Sequence, residues 1–401
     1  MNIIDIITKK RNGGMLNSDE IEFIVQSDIP DYQLSALLMA IYIKGLNELE
    51  TIGLTYQLAK SGKQFDFTDD NAYVDLHSTG GVGDKCSLIV LPIVAACGVK
   101  VAKLAGRGLG HTGGTVDKLE SFTGLSCDLS PEQFEKQVGE IGIAIAAQTA
   151  EITPKDGEFY RLRDVTGTIE SIPLIASSIM SKKLATGCPN IVLDVTYGSG
   201  AFMKTKKDAK RLANLMVKIG QMSGRNTLAV LTPMNEPLGN TIGNTLEVEE
   251  AIAYLKGEGI VGAAALGRLP SKANIQTESR ILNPESSLHQ TCTLLAVNML
   301  KLGLNLSITE AYRKIEDAIK SGAALEKFKQ MVEAQGGKWT EEFPKARIIE
   351  RTTLETLDAY EIGNLVRSLG GGRLKKEDNI DLTVGVKILD RDKKLVEIHK
   401  K

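Results

Sequence analysis

The chain has 401 residues, enough to bury a large core and to divide into two or three domains. Its 48 Lys and Arg balance 50 Asp and Glu for a net charge of -2, which excludes a global field that would draw nucleic acid or an anionic membrane, so any bound anion must be held by local donors. The five cysteines show no Cys-x-x-Cys spacing, the N-terminus lacks the order of a signal peptide, and the longest apolar run, Leu88 to Val99, is too short for a bilayer, so the expectation is a soluble protein of the reducing cytoplasm.

From Ser18 to about Ser61, apolar residues recur at helical spacing and predict three successive helices. The pattern then becomes strand-like at Tyr73 to Leu76, Val99 to Leu104, Ile143 to Ala147, Ile191 to Val195 and Thr227 to Leu231, with helical stretches between, which predicts a mainly parallel α/β domain. A helical stretch from Leu174 to Leu184 interrupts that series and can fold back onto the first helices, which makes the domains discontinuous. The expected division is a helical domain of residues 1-65 and 155-188, an α/β domain of 66-154 and 189-340, and a small C-terminal α/β domain of 346-401. Residues 308 to 336 read as two helices.

Three segments carry chemistry. The first, His77-Ser78-Thr79-Gly80-Gly81-Val82-Gly83-Asp84-Lys85-Cys86-Ser87, is a strand end, a glycine-rich turn and an apolar helix. Such a turn aims backbone N–H groups at a helix N-terminus where the dipole favours an anion, and Ser78 and Ser87 add hydroxyls. Lys85 does not stand where a Walker A lysine would. The second, Gly106 to Glu120, contains Gly108, Gly110 and Gly113 in the spacing of a dinucleotide fingerprint. Asp128 lies too early for the acid that the fingerprint needs, so a compact oxyanion such as phosphate suits the loop better. The third runs from Tyr160 to Lys183. There Ser178 and Lys182, four apart on one helical face, can converge on a ligand with Arg163, whose guanidinium offers a planar fork. Without the glycine loops these charges would read as surface residues.

Taken together these segments resemble the thymidine and pyrimidine-nucleoside phosphorylases. Gly106 to Glu120 is similar to the family signature; Arg163-Asp164-Val165-Thr166, Ser171-Ile172-Pro173-Leu174 and Met180-Ser181-Lys182-Lys183 are similar to its nucleoside site. Gly198 to Met203, Pro237-Leu238-Gly239, Gly243-Asn244 and Ala359 to Gly363 continue the likeness over most of the chain. The resemblance implies a homodimer with a helical domain, a large α/β domain closing over it and a small C-terminal α/β domain. It implies phosphorolysis of uridine, thymidine or deoxyuridine to free base and pentose 1-phosphate, with phosphate as co-substrate and no organic cofactor. By motif position phosphate would meet Ser78, Gly80, Lys85, Ser87 and Thr115, while Arg163, Ser178 and Lys182 would hold the pyrimidine and His77 would sit near its O2. His77, Arg163 and Lys182 are then the expected catalytic residues. A K+ site is also implied at Gly83, Leu238, Thr241 and Glu250, beside Lys85, whose own ammonium can stand in for the ion.

The chain departs from the family pattern at several places. Leu76 stands where the family carries a phosphate-contacting Lys, Ala105 replaces a phosphate-binding Ser, and Thr196 replaces a Lys. Residues 260-285 read as an insertion, and the hairpin after Ile388 is shortened. A second reading is therefore a divergent paralogue that hydrolyses a nucleoside, takes a modified one or only binds it. A third, an anthranilate phosphoribosyltransferase-like enzyme with a Thr-Gly-Gly turn, needs acidic magnesium ligands for which the sequence offers no evident pair.

Overall fold

The computed structural model describes residues 1-68, 70-108, 113-147, 151-258, 281-282, 288-373 and 378-401. Four helices open the chain: α1 (Ile3–Arg11), α2 (Ser18–Gln26), α3 (Asp31–Lys44) and α4 (Glu48–Lys60). The sequence reading found the last three and missed α1, whose start is fixed by the Asn2 side chain accepting from the Ile4 N–H. Capping boxes set the starts of α2 (Asn17 with Glu20) and α4 (Asn47 with Glu50), satisfying backbone donors that the first turn leaves free. Glu50 also accepts from the buried Lys10 ammonium at 2.7 Å and the Leu16 N–H at 2.8 Å, so one carboxylate ties α1 and α4 together.

The chain then runs β1 (Val74–Ser78), α5 (Cys86–Ala96), β2 (Val101–Ala105), α6 (Thr115–Leu119), α7 (Pro131–Ile141) and β3 (Ile143–Ala147). Next come α8 (Pro154–Thr166) and α9 (Ile172–Ala185), followed by β4 (Asn190–Tyr197), α10 (Lys206–Met222), β5 (Asn226–Pro233), β6 (Thr241–Ile242) and α11 (Asn244–Leu255). Strands β1, β4, β5 and β7 (Ile281–Leu282) form a parallel sheet in the order β1-β4-β5-β7. Strands β2 and β3 pair in parallel beside it, and a Tyr73–Lys100 bridge links the two sheets. Val192 of β4 faces the large core with α5, whereas Ile191, Leu193 and Val195 face α9 and α10. Burial on both faces explains why these strands read as continuous apolar runs rather than alternating ones. Helices α8 and α9 return to α3 and α4, and Phe159, Leu162 and Leu174 complete the core of the first helices.

Helices α12 (Leu288–Leu304), α13 (Ile308–Lys320) and α14 (Ala323–Ala334) cover the α5 face, and the two helices expected within 308-336 are α13 and α14. The C-terminal unit contains β8 (Ile348–Thr353), α15 (Ala359–Val366), β9 (Gly385–Asp390) and β10 (Leu395–Lys400). Its sheet is antiparallel, in the order β6-β9-β10-β8. The strand β6 comes from the α/β region, so the C-terminal unit is sewn to the segment that follows β5 instead of standing apart. Among the described residues no single helix is long and apolar enough to cross a membrane.

Candidate active site

The end of β1 divides the site in two. Alternation along a strand sends neighbouring side chains to opposite faces, so His77 shares a face with Asp75, and Ser78 shares the other with Leu76. Asp75 is fully buried against Lys183 of α9, whose ammonium donates to both carboxylate oxygens at 2.9 Å, and Thr186 adds a third hydrogen bond at 2.9 Å. That pair fixes α9 beside β1.

On the His77 face, Lys182 donates to the Ser178 carbonyl and hydroxyl, each at 3.0 Å, so the four-residue spacing expected from the sequence is met. It also pairs with the buried Asp156 of α8, a residue that sequence reasoning missed. Arg163 is buried, and its guanidinium donates to the carbonyls of Thr168 at 3.3 Å, Leu174 at 3.2 Å and Ile169 at 2.5 Å. It braces the loop into α9, and burial lowers its pKa against the pull of Asp156 and Tyr160. His77 is half-buried; burial and then the charges of Lys183, Lys103 and Lys182 hold its pKa well below the usual histidine value. A protonated His77 is therefore not the form present at neutral pH. The neutral imidazole is left to donate or accept.

On the other face lies the first glycine loop. Ser78 donates to Asp194 of β4 at 3.0 Å, and the Gly80 N–H donates to Ser78 Oγ at 3.2 Å. Thr196, expected from the resemblance to be Lys, donates to the Gly80 carbonyl at 2.5 Å and lies 2.9 Å from Thr79 Oγ1, so it stitches the loop to the end of β4. Gly80 and Gly83 have φ of +86° and +74°, a region open to glycine at little cost. Ser87, buried, stands in the first turn of α5. Thr115 begins α6 after Gly114. In the second loop, Leu109, Gly110, His111 and Thr112 lie outside the described residues.

What shapes that second loop is visible in the residues around it. Asp117, buried, accepts from the Gly108 N–H at 2.6 Å, from Arg107 at 3.3 Å and from Arg373 of the C-terminal unit at 2.9 Å. Lys118, also buried, donates to the Asp84 carbonyl and pairs with Glu247 at 2.8 Å, thereby joining the second loop to the first. Neither Asp117 nor Lys118 was singled out from the sequence. A second unforeseen residue type is Lys103, a charged side chain inside the apolar strand β2. It donates to the Leu76 carbonyl at 2.6 Å, and its pKa is lowered to about 8 by burial and by Lys183, against the pull of Asp75, Asp84 and Asp194. A lone lysine in a run such as Val101-Ala102-Lys103-Leu104-Ala105 was the available signal.

Two expectations change here. The sequence offered no acidic pair, yet the fold brings Asp84, Asp194 and Cys86 together with ligand atoms within 4.8 Å of one another. Burial and the Asp84 charge raise Asp194 to about 7, despite hydrogen bonds from Thr232 and Ser78 and the charge of Lys103. Leu76, on this face and fully buried in the core, supplies no charge to offset them. Lys85, expected to bind phosphate, is turned away from the loop: its ammonium donates to the Leu238 carbonyl at 2.9 Å, the Thr241 carbonyl at 2.9 Å and Glu250 at 2.7 Å. An ammonium has three donors, and all three are used. Leu238, Thr241 and Glu250, three of the four residues expected to ligate K+, are thus engaged by Lys85. Ala105 ends β2 opposite Ala147 and offers no hydroxyl. Residues 260-285 lie outside the described residues apart from β7.

Residues 70–325 match the glycosyl transferase family a/b domain, residues 4–62 the helical bundle domain of the same family, and residues 353–398 the pyrimidine nucleoside phosphorylase C-terminal domain. Pyrimidine-nucleoside phosphorylases of Staphylococcus epidermidis and Staphylococcus aureus are 46% identical over 402 aligned positions, covering 96% of this chain and 87% of theirs. The chain belongs to the pyrimidine-nucleoside phosphorylase family. An anthranilate phosphoribosyltransferase from Thermus thermophilus superposes with a TM-score of 0.60 at 16% identity, covering 82% of this chain and 99% of that one, which shows a shared fold.

Proposed function

We propose that this chain catalyses phosphorolysis of pyrimidine nucleosides, uridine, thymidine and deoxyuridine, to free base and (deoxy)ribose 1-phosphate. The observation that carries the reading is the division of the site at β1: donors for a base on the His77 face, and two glycine loops for an oxyanion on the Ser78 face. Lys182 and Ser178 hold the pyrimidine edge, with Arg163 bracing the loop that presents them. Cleavage of the glycosidic bond leaves negative charge on the departing base, and cationic or N–H donors placed there lower the barrier. Lys182 supplies that charge; neutral His77 supplies a hydrogen bond. Phosphate is held by Ser87 and Thr115, with Ser78 and Gly80 joining once the Ser78 hydroxyl turns from Asp194 to the anion and frees the Gly80 N–H, in position to attack the anomeric carbon, which removes much of the entropy of encounter.

Lys103, whose ammonium donates to the Leu76 carbonyl, is a cation beside this face, since Leu76 provides none. The acidic pair Asp84 and Asp194 opposes phosphate, and Asp194 sheds part of that opposition by holding a proton near neutral pH.

The helical domain (1-65 with 155-188), the α/β domain (66-154 with 189-340) and the C-terminal domain (346-401) are proposed as the moving parts around this cleft. A homodimer is proposed through the first helices, because Tyr32, Met39 and Ile43 on α3 and Leu49 and Tyr56 on α4 are exposed at helical spacing. Neutral overall charge supports action on small molecules without a nucleic-acid or membrane partner. A cytoplasmic setting fits the free cysteines.

The test is to incubate the purified protein with uridine, thymidine and deoxyuridine, with and without phosphate, and to follow free base. Base release that requires and saturates with phosphate is expected. Nucleoside binding without release, or release indifferent to phosphate, would move the chain to the paralogue reading.

A further inference from the structure

We infer that the ammonium of Lys85 is a covalently tethered replacement for a monovalent cation, so that this chain holds its first glycine loop without an exchangeable metal ion. Lys85 lies between that loop and α5, and its side chain has no exposure to solvent. Its three N–H donors meet two backbone carbonyls and one carboxylate, the kind of oxygen shell that also suits a bare monovalent ion. Burial works against ionisation of Glu250, yet the Lys85 charge and hydrogen bonds from Thr241 and Asn240 keep its carboxyl below the usual range.

The shell leaves no room for a second cation. A Cβ built on Gly239 would lie 2.7 Å from the Lys85 ammonium and 2.9 Å from each Glu250 oxygen, and one on Gly83 would lie 2.5 Å from the Leu238 carbonyl. Both glycines have positive φ, so backbone is wrapped directly onto the charge. The same charge joins three parts of the fold. Lys85 belongs to the first glycine loop, Leu238 and Thr241 to the segment that enters β6 and so reaches the C-terminal sheet, and Glu250 to α11. From the outside Arg391 of the C-terminal unit donates to the Gly239 and Pro237 carbonyls at 2.5 and 3.2 Å. An ion there could leave when salt is removed; a lysine cannot.

The test compares thermal unfolding of the full chain in tetramethylammonium chloride with K+, NH4+, Na+ or Li+ substituted at constant ionic strength. Wild type is expected to keep one Tm throughout and to carry no stoichiometric K+ by atomic emission after dialysis. Lys85→Ala, which empties the shell, is expected to lose roughly 10 °C in tetramethylammonium and to regain most of it saturably in K+ or NH4+. Lys85→Met, which fills the space with an apolar stem, should show the loss without the rescue. A saturable rise of the wild-type Tm with K+ would overturn the inference, as would a folded Lys85→Ala that no monovalent cation restores. If Lys85→Ala does not fold in any salt, the wild-type titration and metal content decide alone. The readout is stability, so the result stands apart from whether the chain performs phosphorolysis.

Discussion

Replacing Leu76 with lysine should repair the phosphate half of the site. Leu76 pairs with Val192 two positions from the Ser78–Asp194 pair, and its side chain projects to the face where Ser78 donates to Asp194. A lysine stem from that position runs toward Asp84, Asp194 and the first glycine loop. At present Asp194 is raised from 3.8 to about 7. A folded pKa above the unfolded one gives stability that is fully present below pH 3.8 and is lost as pH rises through 7. At 1.36 kcal/mol per unit the shift corresponds to at most about 4 kcal/mol. An ammonium beside Asp194 should return its pKa toward the ordinary range and flatten that loss, while the cost of burying the new charge next to Lys103 offsets part of the gain. For phosphate, one added charge-assisted hydrogen bond is worth about 1.5–3 kcal/mol, so KM for phosphate should fall roughly 10- to 100-fold. The assays are initial rates of base release across a phosphate series, and urea midpoints of both proteins at several pH values from 4 to 8. A folded Leu76→Lys protein with unchanged phosphate KM and unchanged pH dependence of stability would refute the reasoning.

Other outcomes follow from the same geometry. Lys182→Ala removes the Ser178 contacts and strands Asp156, so kcat/KM for nucleoside should drop at least about 100-fold with little change in phosphate KM, as steady-state kinetics on both substrates would show. Asp117→Asn keeps the shape but loses the charge that Gly108, Arg107 and Arg373 share, and phosphate KM should rise roughly tenfold while nucleoside KM holds. Lys103 is charged below about pH 8 and neutral above it, so kcat/KM for phosphate should decline as pH rises through that value, and Lys103→Met should abolish this limb of the pH profile.

Much of the site was legible because its signals are local. Ser178 and Lys182 lie four apart on one helix, and the turn after His77 announces itself by glycine spacing. The order of strands and helices followed from apolar runs that are buried on both faces. What escaped was what distant segments bring together. Asp84 and Asp194 are 110 residues apart in the chain and meet only because β1 and β4 are neighbours in the sheet. Asp117 looked like part of a signature, and only folding reveals that it receives Arg373 across the C-terminal unit. Lys85 sat in an anion-binding motif by position, yet the wrap of Leu238 to Thr241 draws its ammonium inward. Helix α1 was missed because its buried residues, Ile6 and Lys10, include a charge whose partner Glu50 lies forty residues on.

The most direct test of the account is phosphorus NMR of the purified protein incubated with uridine and inorganic phosphate. The account predicts conversion of the phosphate signal to that of a sugar 1-phosphate, in step with uracil release. Uracil accumulating with the phosphate signal unchanged would show water as the acceptor and contradict it.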